Sequence, residues 1–114
     1  MFKNKKILIT GGSSGLGKAL AIAYAKEKGK IINLSRNPIK IKNLNEKLKK
    51  LNNIDNIGYS VDVSNYEDIL KVKNTLIKDN NLPDIIINNA AGNFLCSFEG
   101  LTPNGWKRIN DIVL

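Results

Sequence analysis

The chain has 114 residues and a net charge of +8, from 18 basic and 10 acidic side chains, and this length suffices for one modest domain but not for two. It contains no histidine and one cysteine, Cys96, so histidine-based acid–base chemistry and an internal disulfide are excluded and no metal site is predicted. No apolar run approaches the roughly 20 residues of a membrane span, and a single cysteine suits a reducing compartment, so we predict a cytoplasmic protein without a membrane partner.

A glycine-rich turn separates the first predicted strand, Lys5 to Thr10, from a predicted helix, Leu16 to Lys28. A strand, a glycine turn and a helix in this order aim free backbone N–H groups and a helix N-terminus at a phosphate. Glycine suits such a turn because it accepts positive φ and, without a Cβ, lets a ligand approach the backbone. The helix is expected to bury one apolar stripe, which consists of Leu16, Leu20, Ala23 and Tyr24.

Two phosphate-binding motifs compete for this turn. The nucleoside-triphosphate loop fits Gly12, Gly17 and Lys18, but Ala19 stands where a serine or threonine would hold Mg²⁺. The other spacing, Thr10-Gly11-x-x-x-Gly15-x-Gly17, is complete. The turn therefore favours a dinucleotide over a nucleoside triphosphate.

The second predicted strand, Ile31 to Leu34, ends in a way that bears on the choice of dinucleotide. An NAD-binding chain usually presents an acid to the ribose hydroxyls about 20 residues after the glycine turn. This chain instead continues through Ser35 to Arg36, whose guanidinium can pair with a 2′-phosphate. Arg36 therefore favours NADP, the alternative being a solvated loop arginine.

The middle of the chain alternates helices and strands. Ile41, Leu44, Leu48 and Leu51 mark the buried face of a second helix, which Asn52 and Asn53 end. A third strand, Ile57 to Val63, contains Asp62, which either accepts from an adenine amino group or helps to end the strand. Ser64 and Glu67 have capping-box spacing and open a third helix. Its inward positions are Ile69, Val72, Leu76 and Ile77.

Ile85 to Ile87 form a fourth strand, whose three consecutive isoleucines indicate burial on both faces. Thr102 and Pro103 are expected to start a final helix that buries Trp106, Ile109 and Val113. This alternation predicts an α/β, Rossmann-like doubly wound parallel sheet in the order 3-2-1-4. The fourth strand would be an exposed apolar edge, so we expect residues 1–114 to be the N-terminal portion of a longer protein.

Three ordered motifs resemble those of short-chain dehydrogenases/reductases, and together they cover the whole chain. They are Thr10-Gly11-x-x-x-Gly15-x-Gly17, Asp62-Val63 and Asn88-Asn89-Ala90. The segment Asn88-Asn89-Ala90-Ala91-Gly92-Asn93-Phe94 resembles more narrowly the branch of NADPH-dependent 2,4-dienoyl-CoA reductases. Val113 stands seven residues after Trp106, where most of the family has a catalytic asparagine that this branch also lacks.

The resemblance implies a set of binding residues. NADP would contact Gly11, Ser13, Ser14, Gly15, Leu16, Gly17, Arg36, Asp62, Val63, Asn88, Asn89 and Ala90. An acyl-CoA substrate would lie near Phe94 and Thr102. The catalytic tyrosine or serine and the lysine of the family have no counterpart in residues 1–114, so we predict no catalytic residue here and an inactive NADP-binding domain.

The function implied is hydride transfer from NADPH to a 2,4-dienoyl-CoA in the β-oxidation of unsaturated fatty acids, by an enzyme that is a homo-tetramer at full length. The alternatives are another short-chain reductase, acting on a trans-2-enoyl or 3-oxoacyl substrate, and a non-catalytic nucleotide-binding module. A basic nucleic-acid binder is disfavoured, because the lysines lie on polar helix faces without interleaved aromatic residues.

Overall fold

A computed structural model describes residues 2–13 and 15–89, together with the backbone of residues 111–113. These residues form five strands and three helices that alternate over most of the chain. In chain order the elements are β1 (Lys6–Thr10), α1 (Gly15–Lys26), β2 (Lys30–Ser35), α2 (Pro38–Asn52), β3 (Ile57–Ser60), α3 (Tyr66–Lys78), β4 (Ile85–Ile87) and β5 (Asp111–Val113).

The strands form one parallel sheet in the order β3-β2-β1-β4-β5. The predicted order 3-2-1-4 and the doubly wound α/β class are therefore confirmed. The central strands are buried on both faces because helices cover both: α1 and α2 pack on one side, against Ile7, Ile9 and Ile31. Helix α3 packs on the other side, against Leu8 and Ile32.

The prediction for the end of the chain is wrong at the residues that the structure describes. Asp111–Val113 form a strand instead of the last turn of a helix, and the rest of the predicted helix lies outside the described residues. Strand β5 pairs with β4 from Ile85 to Ile87. Strand β4 is therefore covered on that side, and the expectation that it forms an exposed edge is corrected.

Several predicted boundaries and faces also differ. Strand β3 ends at Ser60 rather than Val63, and the N-cap of α3 is Asn65, whose side chain accepts from the Asp68 N–H, rather than Ser64. In α1 the buried residues are Gly17, Ala21 and Ala25, while Leu16 is 63% exposed. The faces of α2 and α3 are as predicted apart from half-buried Leu51 and from Ile77, which is 47% exposed.

Candidate functional site

The turn after β1 brings the start of α1 to the carboxyl edge of the sheet. Gly11 and Gly15 have φ values of +68° and +57°, a left-handed conformation that costs a residue with a Cβ about 1–2 kcal/mol. The Gly11 N–H donates to the carbonyl of Leu34 at 2.7 Å, so the turn is fastened to the end of β2. The first turn of α1 therefore lies beside the ends of β1 and β2.

Gly17 allows α1 to pack directly against this turn. A Cβ at position 17 would collide with the backbone carbonyl of Gly11 and would lie 2.7 Å from Nδ2 of Asn89. Nδ2 of Asn89 itself donates to the Gly11 carbonyl at 3.4 Å. The glycine at 17 thus serves close packing, whereas Gly11 and Gly15 serve the conformation of the backbone.

Polar contacts join the ends of β1 and β4 beneath the turn. The Thr10 hydroxyl donates to Oδ1 of Asn88 at 3.3 Å, and the Asn89 N–H donates to the same hydroxyl oxygen at 3.0 Å. Asn88 is only 7% exposed, and its side chain is engaged in the hydrogen bond with Thr10. Asn88 therefore ties the two strands together in the structure, and a contact of Asn88 with a cofactor stays a prediction.

Asn33, in the middle of β2, is a part of the site that the sequence analysis missed. Its Oδ1 accepts from the Gly12 N–H at 3.0 Å and from the Ser35 hydroxyl at 2.7 Å. The side chain is fully buried, and its Nδ2 has no hydrogen-bond partner among the described residues. An asparagine within the apolar run Ile31 to Leu34 was the available signal, because a buried amide must find partners.

A cavity of about 440 Å³ opens where β1, β2 and β3 end, and we call it the strand-end cavity. Its volume falls in the range of roughly 300–1,000 Å³ that small-molecule sites occupy. The lining residues come from the glycine turn and from the segments after β2 and β3: Gly11, Ser13, Leu34, Ser35, Arg36, Asn37, Lys40, Val61, Asp62, Val63 and Ser64.

An ion pair lies in the wall of the strand-end cavity. Nη2 of Arg36 lies 3.0 Å from Oδ2 of Asp62, and both side chains are partly open to solvent, 78% and 39% exposed respectively. The Ser64 hydroxyl and N–H donate to Oδ1 of Asp62 at 2.6 and 3.0 Å. These two hydrogen bonds, followed by the Arg36 guanidinium, lower the pKa of Asp62 to about 2. Asp62 is therefore a carboxylate at every physiological pH.

A second cavity, of about 450 Å³, lies between the start of α1 and helix α2, and we call it the lysine cavity. Its lining residues are Ser13, Gly15, Lys18, Lys40, Asn43, Leu44 and Lys47. Three of them are lysines, and no carboxylate is present in this set. A larger hollow of about 850 Å³ runs along α2 and β3, but it contains none of the predicted site residues.

The structure brings most of the predicted binding residues together around the glycine turn. Gly11, Ser13, Arg36, Asp62 and Val63 line the strand-end cavity, and Gly15 lines the lysine cavity. Gly17 and Asn89 support the turn. Leu16 is exposed beside it at the start of α1. Ser14, Ala90, Phe94 and Thr102 lie outside the described residues.

Residues 2–13 and 15–89 offer neither a metal site nor a membrane-spanning helix. They contain no group of three or more histidine, cysteine, aspartate or glutamate side chains that could hold a metal ion. No helix in this part of the chain is both long and apolar enough to cross a membrane.

Comparison with known proteins gives consistent matches. The family model of short chain dehydrogenases matches residues 5–114. A probable 2,4-dienoyl-CoA reductase, (2E)-enoyl-CoA-producing, from Bacillus subtilis is 37% identical over 114 residues, covering 98% of this chain and 44% of that protein. A peroxisomal 2,4-dienoyl-CoA reductase, (3E)-enoyl-CoA-producing, from Arabidopsis thaliana is 35% identical over 105 residues, covering 92% of this chain and 35% of that protein.

One solved structure shares the fold of this chain. L-sorbose reductase from Gluconobacter frateurii, complexed with NADPH and L-sorbose, aligns with a TM-score of 0.73 and 26% identity. The alignment covers 95% of this chain and 45% of that one. The chain thus spans less than half the length of each of these three proteins.

Proposed function

The chain belongs to the short-chain dehydrogenase family, whose members are oxidoreductases that bind a nicotinamide cofactor, and we propose that it is the dinucleotide-binding part of an NADPH-dependent 2,4-dienoyl-CoA reductase. The observation that carries this proposal is the junction of the glycine turn with the strand-end cavity. At this junction the glycine backbone of the turn, the first turn of α1 and the Arg36 guanidinium lie close together at the carboxyl ends of the parallel strands.

The residues at this junction fit a dinucleotide. Gly15 has positive φ, and no described atom beyond its chain neighbours and the backbone of its own helix lies within 4 Å of where its Cβ would be, so the turn is open to a ligand at that point. The first turn of α1 contributes backbone N–H groups and the positive end of a helix dipole, which suit a diphosphate. Leu34 and Val63 supply apolar surface for an adenine ring, and Asp62 supplies an acceptor for its amino group.

The choice of NADPH over NADH follows from the charges at the end of β2. Arg36 occupies the loop after β2, where an acid would contact the ribose hydroxyls of NADH and would repel a 2′-phosphate. The L-sorbose reductase structure, which is 26% identical to this chain, contains NADPH. Both observations support NADPH.

The choice of substrate rests on the relatives. Two proteins that carry the name 2,4-dienoyl-CoA reductase match 92–98% of this chain at 35–37% identity. On this proposal the bound NADPH supplies a hydride to the conjugated thioester, in fatty-acid β-oxidation. Phe94 and Thr102 contact the acyl-CoA, and the groups that stabilise the oxygen and protonate the substrate come from elsewhere in the whole enzyme, a homo-tetramer placed in the cytoplasm.

The test is an assay of the whole enzyme, as encoded by its gene, with three classes of thioester. We expect NADPH oxidation with a 2,4-dienoyl-CoA, little with a trans-2-enoyl-CoA or a 3-oxoacyl-CoA, and a higher Kd for NADH than for NADPH. Turnover of only the enoyl or oxoacyl thioester would assign the protein to another branch of the family. Binding of NADPH without turnover of any of the three would favour a nucleotide-binding module.

A further inference from the structure

The positive charge of Arg36 is already engaged at the edge of the strand-end cavity. Its guanidinium lies 3.0 Å from the Asp62 carboxylate. The Ser64 hydroxyl and N–H hold this carboxylate in place, so its negative charge is a permanent part of the cavity wall. A phosphate that approaches Arg36 therefore also approaches a carboxylate, and the net charge of the pair is close to zero.

Lys40 is the other cation of this cavity, and it has no such partner. The lysine is exposed in the first turn of α2, where the Asn37 side chain caps its backbone N–H at 3.2 Å. Among the described residues no carboxylate lies within ion-pair distance of its amine. Lys40 thus contributes a positive charge that the structure leaves unbalanced.

The two cavities share only Ser13 and Lys40 among the residues that line them. On the far side, Lys18 and Lys47 line the lysine cavity, and no carboxylate does. The electrostatic potential should therefore rise from the Arg36–Asp62 pair toward Lys40. A phosphomonoester, with about −1.5 to −2 charges at neutral pH, is drawn to the more positive end of such a gradient.

We propose that Lys40 is a second determinant, beside Arg36, of the preference of this chain for a 2′-phosphorylated dinucleotide, with the Ser13 hydroxyl as a further contact at the junction of the two cavities. This inference rests on the proposed function and deepens it, because it adds a cation of helix α2 to the arginine of the loop.

The test is calorimetric binding of two adenosine ligands to the whole enzyme; the ligands are adenosine 2′,5′-bisphosphate and 5′-AMP, which differ only in the 2′-phosphate. In Lys40→Gln, we expect affinity for the bisphosphate to fall about tenfold or more, as for the loss of one charge-assisted hydrogen bond, while 5′-AMP binding changes less than about twofold. Lys40→Arg should retain the preference. Since Lys40 is exposed, these variants should fold like the parent chain, which circular dichroism can check.

Two lysines of the same helix provide matched controls. Lys42 faces the hollow along β3, and Lys47 lines only the lysine cavity, so Lys42→Gln should have no effect and Lys47→Gln a smaller effect than Lys40→Gln. An unchanged ligand preference in Lys40→Gln, together with its loss in Arg36→Gln, would overturn the role of Lys40 and leave NADPH binding intact. Failure of the unaltered whole enzyme to bind either ligand would overturn the proposed function as well.

Discussion

At the scale of single residues, Asp62 shows how short-range hydrogen bonds set the charge of the cavity wall. Its pKa of about 2 depends first on the Ser64 hydroxyl and N–H and only then on Arg36. We therefore expect Ser64→Ala to raise the pKa of Asp62 toward its ordinary value, since the largest single cause of its lowering is lost, and Arg36→Ala to raise it as well, since a hydrogen bond and a nearby positive charge are lost. NMR titration of the Asp62 carboxyl carbon in both variants measures this directly.

The lowered pKa of Asp62 also makes the stability of the folded chain depend on pH. Because the folded pKa of Asp62 lies below the ordinary value of 3.8, its ionisation stabilises the folded state above about pH 4, and this stabilisation is lost as the pH falls toward 2. Ser64→Ala should accordingly be less stable than the parent chain at neutral pH, and the difference should close between pH 4 and 2. A difference in urea midpoint that is the same at pH 7 and pH 2 would contradict this role.

Gly17 and Gly15 are glycines for different reasons, which predicts different costs for the same substitution. Gly17→Ala places a methyl group against the Gly11 carbonyl, and such overpacking against backbone should cost about 2–3 kcal/mol. Gly15→Ala meets no described atom but must keep φ near +57°, which should cost about 1 kcal/mol. Urea unfolding of both variants tests the order, and an equal cost would show that α1 can shift away from the turn.

At the scale of secondary structure elements, the start of α2 is fixed by a cap that the sequence analysis did not identify. The Asn37 side chain accepts from the N–H groups of Ile39 and Lys40 at 2.9 and 3.2 Å, and Pro38 occupies the first helical position. We expect Asn37→Ala to cost about 1 kcal/mol of stability, the usual value of an N-cap. The control is Lys42→Ala, an exposed change within the same helix that should be nearly neutral by urea unfolding.

The periodicity of the sequence predicted some helical faces well and others poorly. In α2 the apolar residues recur at helical spacing among lysines, and three of the four predicted positions, Ile41, Leu44 and Leu48, are buried. In α1 nearly every residue from Ala19 to Ala25 is apolar, so the pattern could not select a face. The buried face of α1 is set by Gly17, which packs against the glycine turn and so places Ala21 and Ala25 on the inner side of the helix.

Errors at element boundaries have a common physical cause, which is competition between neighbouring polar side chains. Ser64 and Asn65 can both cap a helix, and the structure uses Asn65 because the Ser64 hydroxyl is bonded to Asp62. That turn also ends the strand early, since the Asn65 N–H bonds to the Asp62 carbonyl. Capping propensity alone does not decide between Ser64 and Asn65, so an error of a few residues in the predicted boundary was to be expected.

At the scale of the whole molecule, the sheet order could be predicted because each strand–helix–strand unit obeys one handedness rule. The side-chain contacts of the site were harder to predict, since they join residues that are distant in sequence. The glycine turn was visible as a local motif, but the Arg36–Asp62 pair spans 26 residues and the bond from Gly12 to Asn33 spans 21. The pairing of β5 with β4 likewise has no local signal in an apolar segment after residue 110.

The longest-range polar contact of the described residues lies between the ends of β1 and β4 and offers a test of the sheet as a unit. Thr10 donates to Asn88 and accepts from the Asn89 N–H, across 78 and 79 residues of sequence. Thr10→Val keeps the shape of the side chain but removes both bonds beneath the turn. Because buried partners are left unsatisfied, we expect a loss of about 2 kcal/mol.

Two measurements separate this role of Thr10 from a general effect of the substitution. Hydrogen exchange at the Asn89 amide should accelerate more than exchange at the central amides of β1 and β2, because only the former loses its acceptor. The matched control is Thr75→Val, in which a hydroxyl bonded within α3 to the Lys71 carbonyl is lost at an exposed site and the cost should stay within about 0.5 kcal/mol. Equal costs for the two variants would mean that the Thr10 hydroxyl does not hold β4 against β1, and that the apolar contacts of Ile86 and Ile87 suffice.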